Sequence, residues 1–406
     1  MHSGQKIQGL VHVSIVMEYL AKITYLSLFL LSSLCLPSTV SSENISSENI
    51  SACSRIPQLL SLAEDLRGLS ATGSIDCKEL EEDAYRIYAR QLTESANDPL
   101  DFQYQEIVYK ILGLVPTSYP YAHCLIQMAG DFGEALYDRK VQQIILRKDY
   151  TIPDSILVHE IIHALQDQHF NLRLIRDNVS TSDENLAITA LIEGDATLRE
   201  DMVVVDQKER AETGVMPFSE CRPPEPLYSI LIFPYEWGKR FASILEEEGK
   251  LDQAFIDPPR FSREILYPEE YLAKSTQHDP RQSFKEIPAP GYKYLYSDVL
   301  GEYVVRSLFR TFTNRTLAIR AGRGWTNDLI ELYQHQTNKR YLLRWRIQFE
   351  TGSDVDQFLM ALKKYSQNHF DLKLDQRATQ WSAQTNYMDF KVRPYNQTII
   401  IEISTL

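Results

Sequence analysis

The sequence holds no phosphate-cradling glycine motif of the GxGxxG or GxxxxGK[ST] type and no Gly-x-Ser-x-Gly elbow. Nucleotide chemistry and serine hydrolysis therefore find no support in it. Positive charge is also scarce: across 406 residues, 42 Lys and Arg stand against 55 Asp and Glu, a formal net charge of −13. A chain without a basic cluster lacks the footprint that displaces counterions from nucleic acid or docks on anionic lipid. Cysteines number only five and none forms a CxxC pair, which excludes a thiolate metal cluster and a fold held by disulfides alone. No repeat of solenoid length is present. What the chain does have is apolar material, 44% of its residues, ample for a globular core.

Long apolar runs are missing but for one near the start. Residues 23–36 (ITYLSLFLLSSLCL) follow Lys22 and give way to small and polar residues at 37–42. The run is short for a membrane span, which takes about 20 residues. Residues 1–42 read as a secretory signal peptide, with Met17 a more ordinary start than Met1; a retained N-terminal anchor is the alternative. Export would put the protein in a periplasm, outside the cell or on its surface. Cys53, Cys77, Cys124 and Cys221 then become disulfide formers, with all three pairings open. Asn44, Asn49, Asn178, Asn314 and Asn396 begin Asn-x-Ser/Thr sequons, which matter only in a eukaryotic secretory route.

Periodicity and punctuation divide the rest. A polar linker at 43–52 precedes a catalytic region at 53–216. Residues 217–315, helical and Pro-rich, complete the core, and 316–406 form a smaller C-terminal region. Helical periodicity is expected over 54–115, and a hairpin or edge strand over 134–147. Helices follow near 153–169, 184–202, 235–249 and 298–312, with a Pro-rich loop around 257–268. The tail alternates strand 340–349, helix 354–366 and strands 387–393 and 397–403. The mixture predicts an α+β fold.

Chemistry concentrates in PDSILVHEIIHALQDQHF, residues 153–170. His159 and His163 lie at i and i+4, one turn apart on one helix face, where both imidazoles can reach one metal ion. Glu160 points about 100° round from His159, where a carboxylate can take a proton from a water activated by that ion. Val158, Ile161, Ile162 and Leu165 give the helix a core-facing stripe away from the histidines.

A catalytic zinc site needs a third protein ligand and an open position. His169 has metzincin spacing from His163, but Gln166 stands where that motif has its helix-ending glycine. A continuing helix would turn His169 away. Glu193 is the favoured ligand, in DENLAITALIEGDATLRED, with Thr181 and Glu184 a candidate capping box opening its helix. Glu200 and Asp201 are further candidates. Asp195 could orient a ligand histidine through its ring N–H, or be a solvated helix acid. For the oxyanion partner, Tyr267, Tyr292, Tyr294, Tyr296 and nearby arginines are all open.

HALQDQHF after the HExxH start, followed by ALIEGDAT, resembles a group of secreted bacterial and archaeal zincin-like metallopeptidases, whose usual pattern is HELTHALQDQHF then ALVEGDAT. The likeness continues weakly. Phe233-Pro234-Tyr235-Glu236-Trp237-Gly238 is similar to their PYxxG, and residues 258–268 to PPRSTEQVLHP. Leu300-Gly301-Glu302 matches LGE, and Gly324-Trp325 with Asp328 matches GWxxD. The chain departs from the group at Arg263, where STEQ has Glu, and at Tyr267, where the group has His. The resemblance implies a gluzincin-type zincin core, Zn2+ as cofactor and a peptide or protein substrate. The expected function is an exported peptidase with His159, His163 and Glu193 on zinc and Glu160 as general base. Hydrolysis of a non-peptide amide or ester, or a zincin scaffold serving as a binding module, are the alternatives. Oligomeric state is not legible.

Overall fold

Prolines, and side chains that accept hydrogen bonds, open most of the helices; glycine or asparagine in the left-handed region closes several. The computed structural model describes residues 51–148, 150–204, 221–273, 284–377, 380–385 and 387–405. The expected signal segment, almost all of the expected linker, Asn44, Asn49 and part of the Pro-rich passage at 217–226 lie outside them. No helix among the described residues is long and apolar enough to cross a membrane.

Helix α1 (Ile56–Arg67) ends at Gly68, φ 73°. Strand β1 (Asp76–Leu80), helices α2 (Glu82–Ser95), α3 (Pro99–Leu112) and α4 (Tyr121–Phe132) follow, then a hairpin of β2 (Ala135–Asp138) and β3 (Gln143–Arg147). The hairpin matches the expectation for 134–147, but β3 is not an edge. It is the centre of a three-stranded sheet, parallel to β1 and antiparallel to β2. The covering strand β1 is short and polar (DCKEL), so helical periodicity around it concealed it. Long-range ties hold it instead: a Cys53–Cys77 disulfide, and Glu79 accepting from Ser51 Oγ at 2.7 Å and Cys53 N at 3.1 Å.

The long helix α5 (Asp154–Phe170) has no internal glycine or proline and stops at Asn171, φ 55°. The Asn171 side chain also caps α6 (Leu172–Asp177) by accepting from Leu174 N. Every side chain of α5 from Ser155 to Asp167 is buried, so the expected apolar stripe is only one side of a helix enclosed all round. Helix α7 (Ser182–Val203) begins at Thr181, whose side chain accepts from Glu184 N; Glu184 returns its bonds to Ser180 rather than to Thr181. Helix α8 (Glu225–Glu247) starts about ten residues earlier than expected, because Pro224 and Pro226 occupy positions a helix start tolerates. Three short helices follow, α9 (Leu251–Ile256), α10 (Ser262–Leu266) and α11 (Pro268–Leu272).

Beyond them β4 (Tyr292–Asp298), α12 (Gly301–Phe312), α13 (Arg315–Gly322), β5 (Trp325–His335), β6 (Tyr341–Phe349), α14 (Gly352–Phe370), β7 (Asp375–Arg377), β8 (Gln380–Gln384), β9 (Met388–Tyr395) and β10 (Thr398–Thr405) complete the chain. Their seven strands form one antiparallel sheet in the order β4-β5-β6-β10-β9-β8-β7. The fold is α+β. A smaller apolar core joins α1, the three-stranded sheet and α5 through Ile144, Leu146, Leu157, Ile161 and Ile162. A larger one, with Leu191, Phe233, Phe309, Trp345 and Ile401, runs from α7 and α8 into the second sheet. A second disulfide, Cys124–Cys221, joins residues 97 apart; closing a loop of that length removes about 4–5 kcal/mol of chain entropy from the unfolded state.

The weaker motifs are structural. Asp328 is fully buried and accepts from Leu300 N, Gly301 N, Trp325 Nε1 and Trp345 Nε1 at 2.8–3.1 Å. Gly301 has φ +81°, and a Cβ there would fall within the Asp183 carboxylate. The chain's two departures from the group's pattern meet at one place. Arg263 contacts Glu270, Glu302 and Glu350, while Tyr267 donates to the same Glu302 at 3.2 Å and lies beneath the Arg263 guanidinium.

Asp298 carries a pH prediction. Buried at the end of β4, it accepts from Ser182 N, Ser182 Oγ, Tyr296 Oη and Val299 N. Burial nevertheless pushes its carboxyl up to about 6. Between the unfolded carboxylate range and that value the folded state holds the extra proton, so stability is lost as pH rises through about 4 to 6. In Asp298→Asn, urea titrations at pH 4.5 and 7 should show a fall in unfolding free energy smaller by about 2 kcal/mol. An unchanged fall would contradict this.

Candidate metal centre

Helices α5 and α7 pack together and bring His159, His163 and Glu193 to one point, all buried. Both imidazoles present Nε2. Those two atoms are 3.0 Å apart, and Glu193 Oε2 lies 3.4 Å from each. Donors bound tetrahedrally at 2.0–2.1 Å sit about 3.3 Å from one another, so the three atoms are spaced as three corners of a zinc site. Burial opposes ionisation of Glu193, but the adjacent His163 and His159 hold its carboxyl far below the usual carboxylate range. A carboxylate oxygen and two imidazole nitrogens are donor types that zinc takes.

The remaining ring nitrogens are engaged by other side chains. Glu200 lies two turns beyond Glu193 on the same face of α7, and its Oε2 is 3.1 Å from His159 Nδ1. Gln166 Oε1 is 3.0 Å from His163 Nδ1. The orientation of the Gln166 amide is fixed, because its Nε2 donates to Ile192 O at 3.1 Å and Asp195 Oδ2 at 3.0 Å. Its oxygen therefore faces His163 and accepts from Nδ1–H, which turns Nε2 toward His159 and Glu193. Asp195 reaches the histidine only through Gln166, and is itself held by Arg67 Nε at 2.6 Å and by Arg199 at 3.4 Å. Neither Gln166 nor Glu200 was assigned this role from sequence, although i+3 from His163 and i+7 from Glu193 would have pointed to both. Glu200→Ala and Gln166→Ala should each weaken zinc binding roughly 10- to 100-fold, read by competition with a chromogenic chelator. Affinity unchanged in both would contradict the assignment.

The other candidates separate from the centre. Because α5 does not break at Gln166, His169 is carried away and its Nε2 meets Ser70 O at 2.7 Å. Asp201 pairs with Lys239. Glu160 is fully buried beside His159. Of the oxyanion candidates, Tyr267 bonds Glu302, Tyr294 bonds Ser297, Tyr296 bonds Asp298 and Tyr292 packs on His335; all four serve the second half of the chain. Arg139 and Arg176 are instead the cations whose charges couple to Glu193.

A family model described as a domain of unknown function (DUF8575) matches residues 293–402. The match runs from β4 into β10. It leaves out α5 and α7 and therefore every donor of the centre. No curated protein and no solved structure matches the chain.

Proposed function

We propose that this chain is an exported zinc-dependent peptidase of gluzincin type. The observation that carries the proposal is the set of three donor atoms at tetrahedral spacing, with Glu160 adjacent and each distal imidazole nitrogen engaged. Zinc held by His159, His163 and Glu193 would supply Lewis acidity and a water acidified toward neutrality. Glu160 takes the proton released as water attacks the scissile carbonyl and delivers it to the leaving amine. Gln166 and Glu200 hold the two imidazoles in register throughout. With β3 central, an extended substrate would add to the free edge at β2. Two disulfides fit an extracellular location.

The test is cleavage of a mixed peptide library by purified residues 43–406. The proposal expects cleavage that stops with a zinc chelator and returns with added zinc. Cleavage indifferent to chelation, or none by the zinc-loaded chain, would count against it.

A further inference from the structure

One buried arginine ties the first helix to a candidate metal donor through an unbroken run of hydrogen bonds. Arg67 is the last residue of α1 and is buried. Its Nε donates to Asp195 Oδ2 at 2.6 Å, and its Nη2 donates to Asp252 Oδ1, on α9, at 2.7 Å. The Asp195 oxygen that takes Nε also takes Gln166 Nε2, at 3.0 Å. Gln166 Oε1 in turn meets His163 Nδ1 at 3.0 Å. The run from Asp252 through Arg67, Asp195 and Gln166 to His163 thus joins α9, α1, α7 and α5.

Asp195 does not act on the centre directly. It follows Glu193 by two residues on α7 and points about 200° round from it. Arg67 is its closest cation. Arg199 stands farther off, at 3.4 Å, and gives both Nη atoms to Glu246. The position of Asp195 Oδ2 therefore sets where the Gln166 nitrogen goes, and with it where the Gln166 oxygen faces. Ile192 O also accepts from that nitrogen, at 3.1 Å. It lacks the charge that makes a hydrogen bond to a carboxylate the stronger of the two. Arginine suits the task because its planar fork reaches acceptors on two helices at once, where lysine offers a point charge.

We infer that Arg67 is a positioning residue for the metal centre. By fixing Asp195 Oδ2 it sets the Gln166 amide and, through that amide, the His163 imidazole. The inference rests on the zinc part of the proposal above and not on peptide cleavage, so its test needs no substrate.

Zinc affinity is measured on the full chain by competition with a chromogenic chelator, for the native protein, Arg67→Ala, Gln166→Ala and the double variant. Arg67→Ala should bind zinc roughly tenfold more weakly, the lower end of what losing an outer partner of a ligand costs. With Gln166 already alanine, the same substitution should cost at most about twofold, since members of one hydrogen-bond network do not act additively. Cobalt in place of zinc gives a second readout. Its visible ligand-field bands should shift in Arg67→Ala and return part of the way in Arg67→Lys, which restores the charge beside Asp195.

Arg55→Ala controls for a loosened helix. Arg55 anchors the start of α1 to Asp154 and Ile152 O, away from Gln166, so its loss should leave zinc affinity within about twofold of native. Should Arg67→Ala fail to fold, Arg67→Lys taken through the same cycle decides, with a smaller loss that disappears once Gln166 is alanine. Unchanged affinity on replacing Arg67, losses that add in the double variant, or an equal loss in Arg55→Ala would overturn the inference. A native chain that takes up no zinc would overturn it together with the centre. Zinc binding that behaves as expected in a chain that cleaves no peptide would keep it and remove the peptidase.

Discussion

Glu160→Gln is expected to keep one zinc per chain and an unchanged melting temperature while lowering kcat by at least about 10³-fold. Glutamine reproduces the size of the glutamate, and in a fully buried position on α5 it leaves the packing of the helix intact. What it loses is the ability to accept a proton and return it to the leaving group. The metal ligands are separate side chains, so stoichiometry should not move. Elemental analysis and turnover on one preparation check both halves. Unchanged turnover would remove Glu160 from the mechanism, and loss of zinc together with turnover would make its role structural.

Gly194→Ala should destabilise the fold by at least about 3 kcal/mol, an overpacking cost with no side chain able to give way. A Cβ at Gly194 would lie 2.1 Å from the Gly238 carbonyl carbon, and one at Gly238 would lie 2.1 Å from Ala190 O. Both clashes are with backbone, so α7 and α8 would have to separate. Glu193 precedes Gly194, and the same separation should move its carboxylate and weaken zinc binding. Thermal melts with and without zinc read both effects. A variant as stable as the native chain would show that the two helices do not approach so closely. The glycines of ALIEGDAT and of the PYEWG segment thus let α7 pack closely against α8.

That His159, His163 and Glu193 could converge was legible because the candidate site is nearly local. His159, Glu160 and His163 share one helix, and helical spacing alone puts them on adjacent faces. Glu193 required a second helix and an argument about its role, yet ALIEGDAT between good caps gave one. The partners of the distal nitrogens were harder. Gln166 looked like a spacer and Glu200 like a competing ligand, since their roles depend on how α5 and α7 face each other. The three-stranded sheet was misread for a related reason. Strand β1 has too little apolar alternation to announce itself, and it exists through a disulfide and pairing with residues about 67 positions away. Among the C-terminal elements β6, α14, β9 and β10 were foreseen, because each carries a clear periodic run. Strand β5 was not: its charged Asp328 and Glu331 are buried in hydrogen bonds made by distant groups.

The most direct test of the whole account is zinc content by elemental mass spectrometry on purified residues 43–406, beside Glu193→Ala and His169→Ala. One zinc per native chain, retained in His169→Ala and lost in Glu193→Ala, is the result the geometry predicts. A native chain that takes up no zinc after reconstitution, or one that keeps it without Glu193, would contradict the account at its centre.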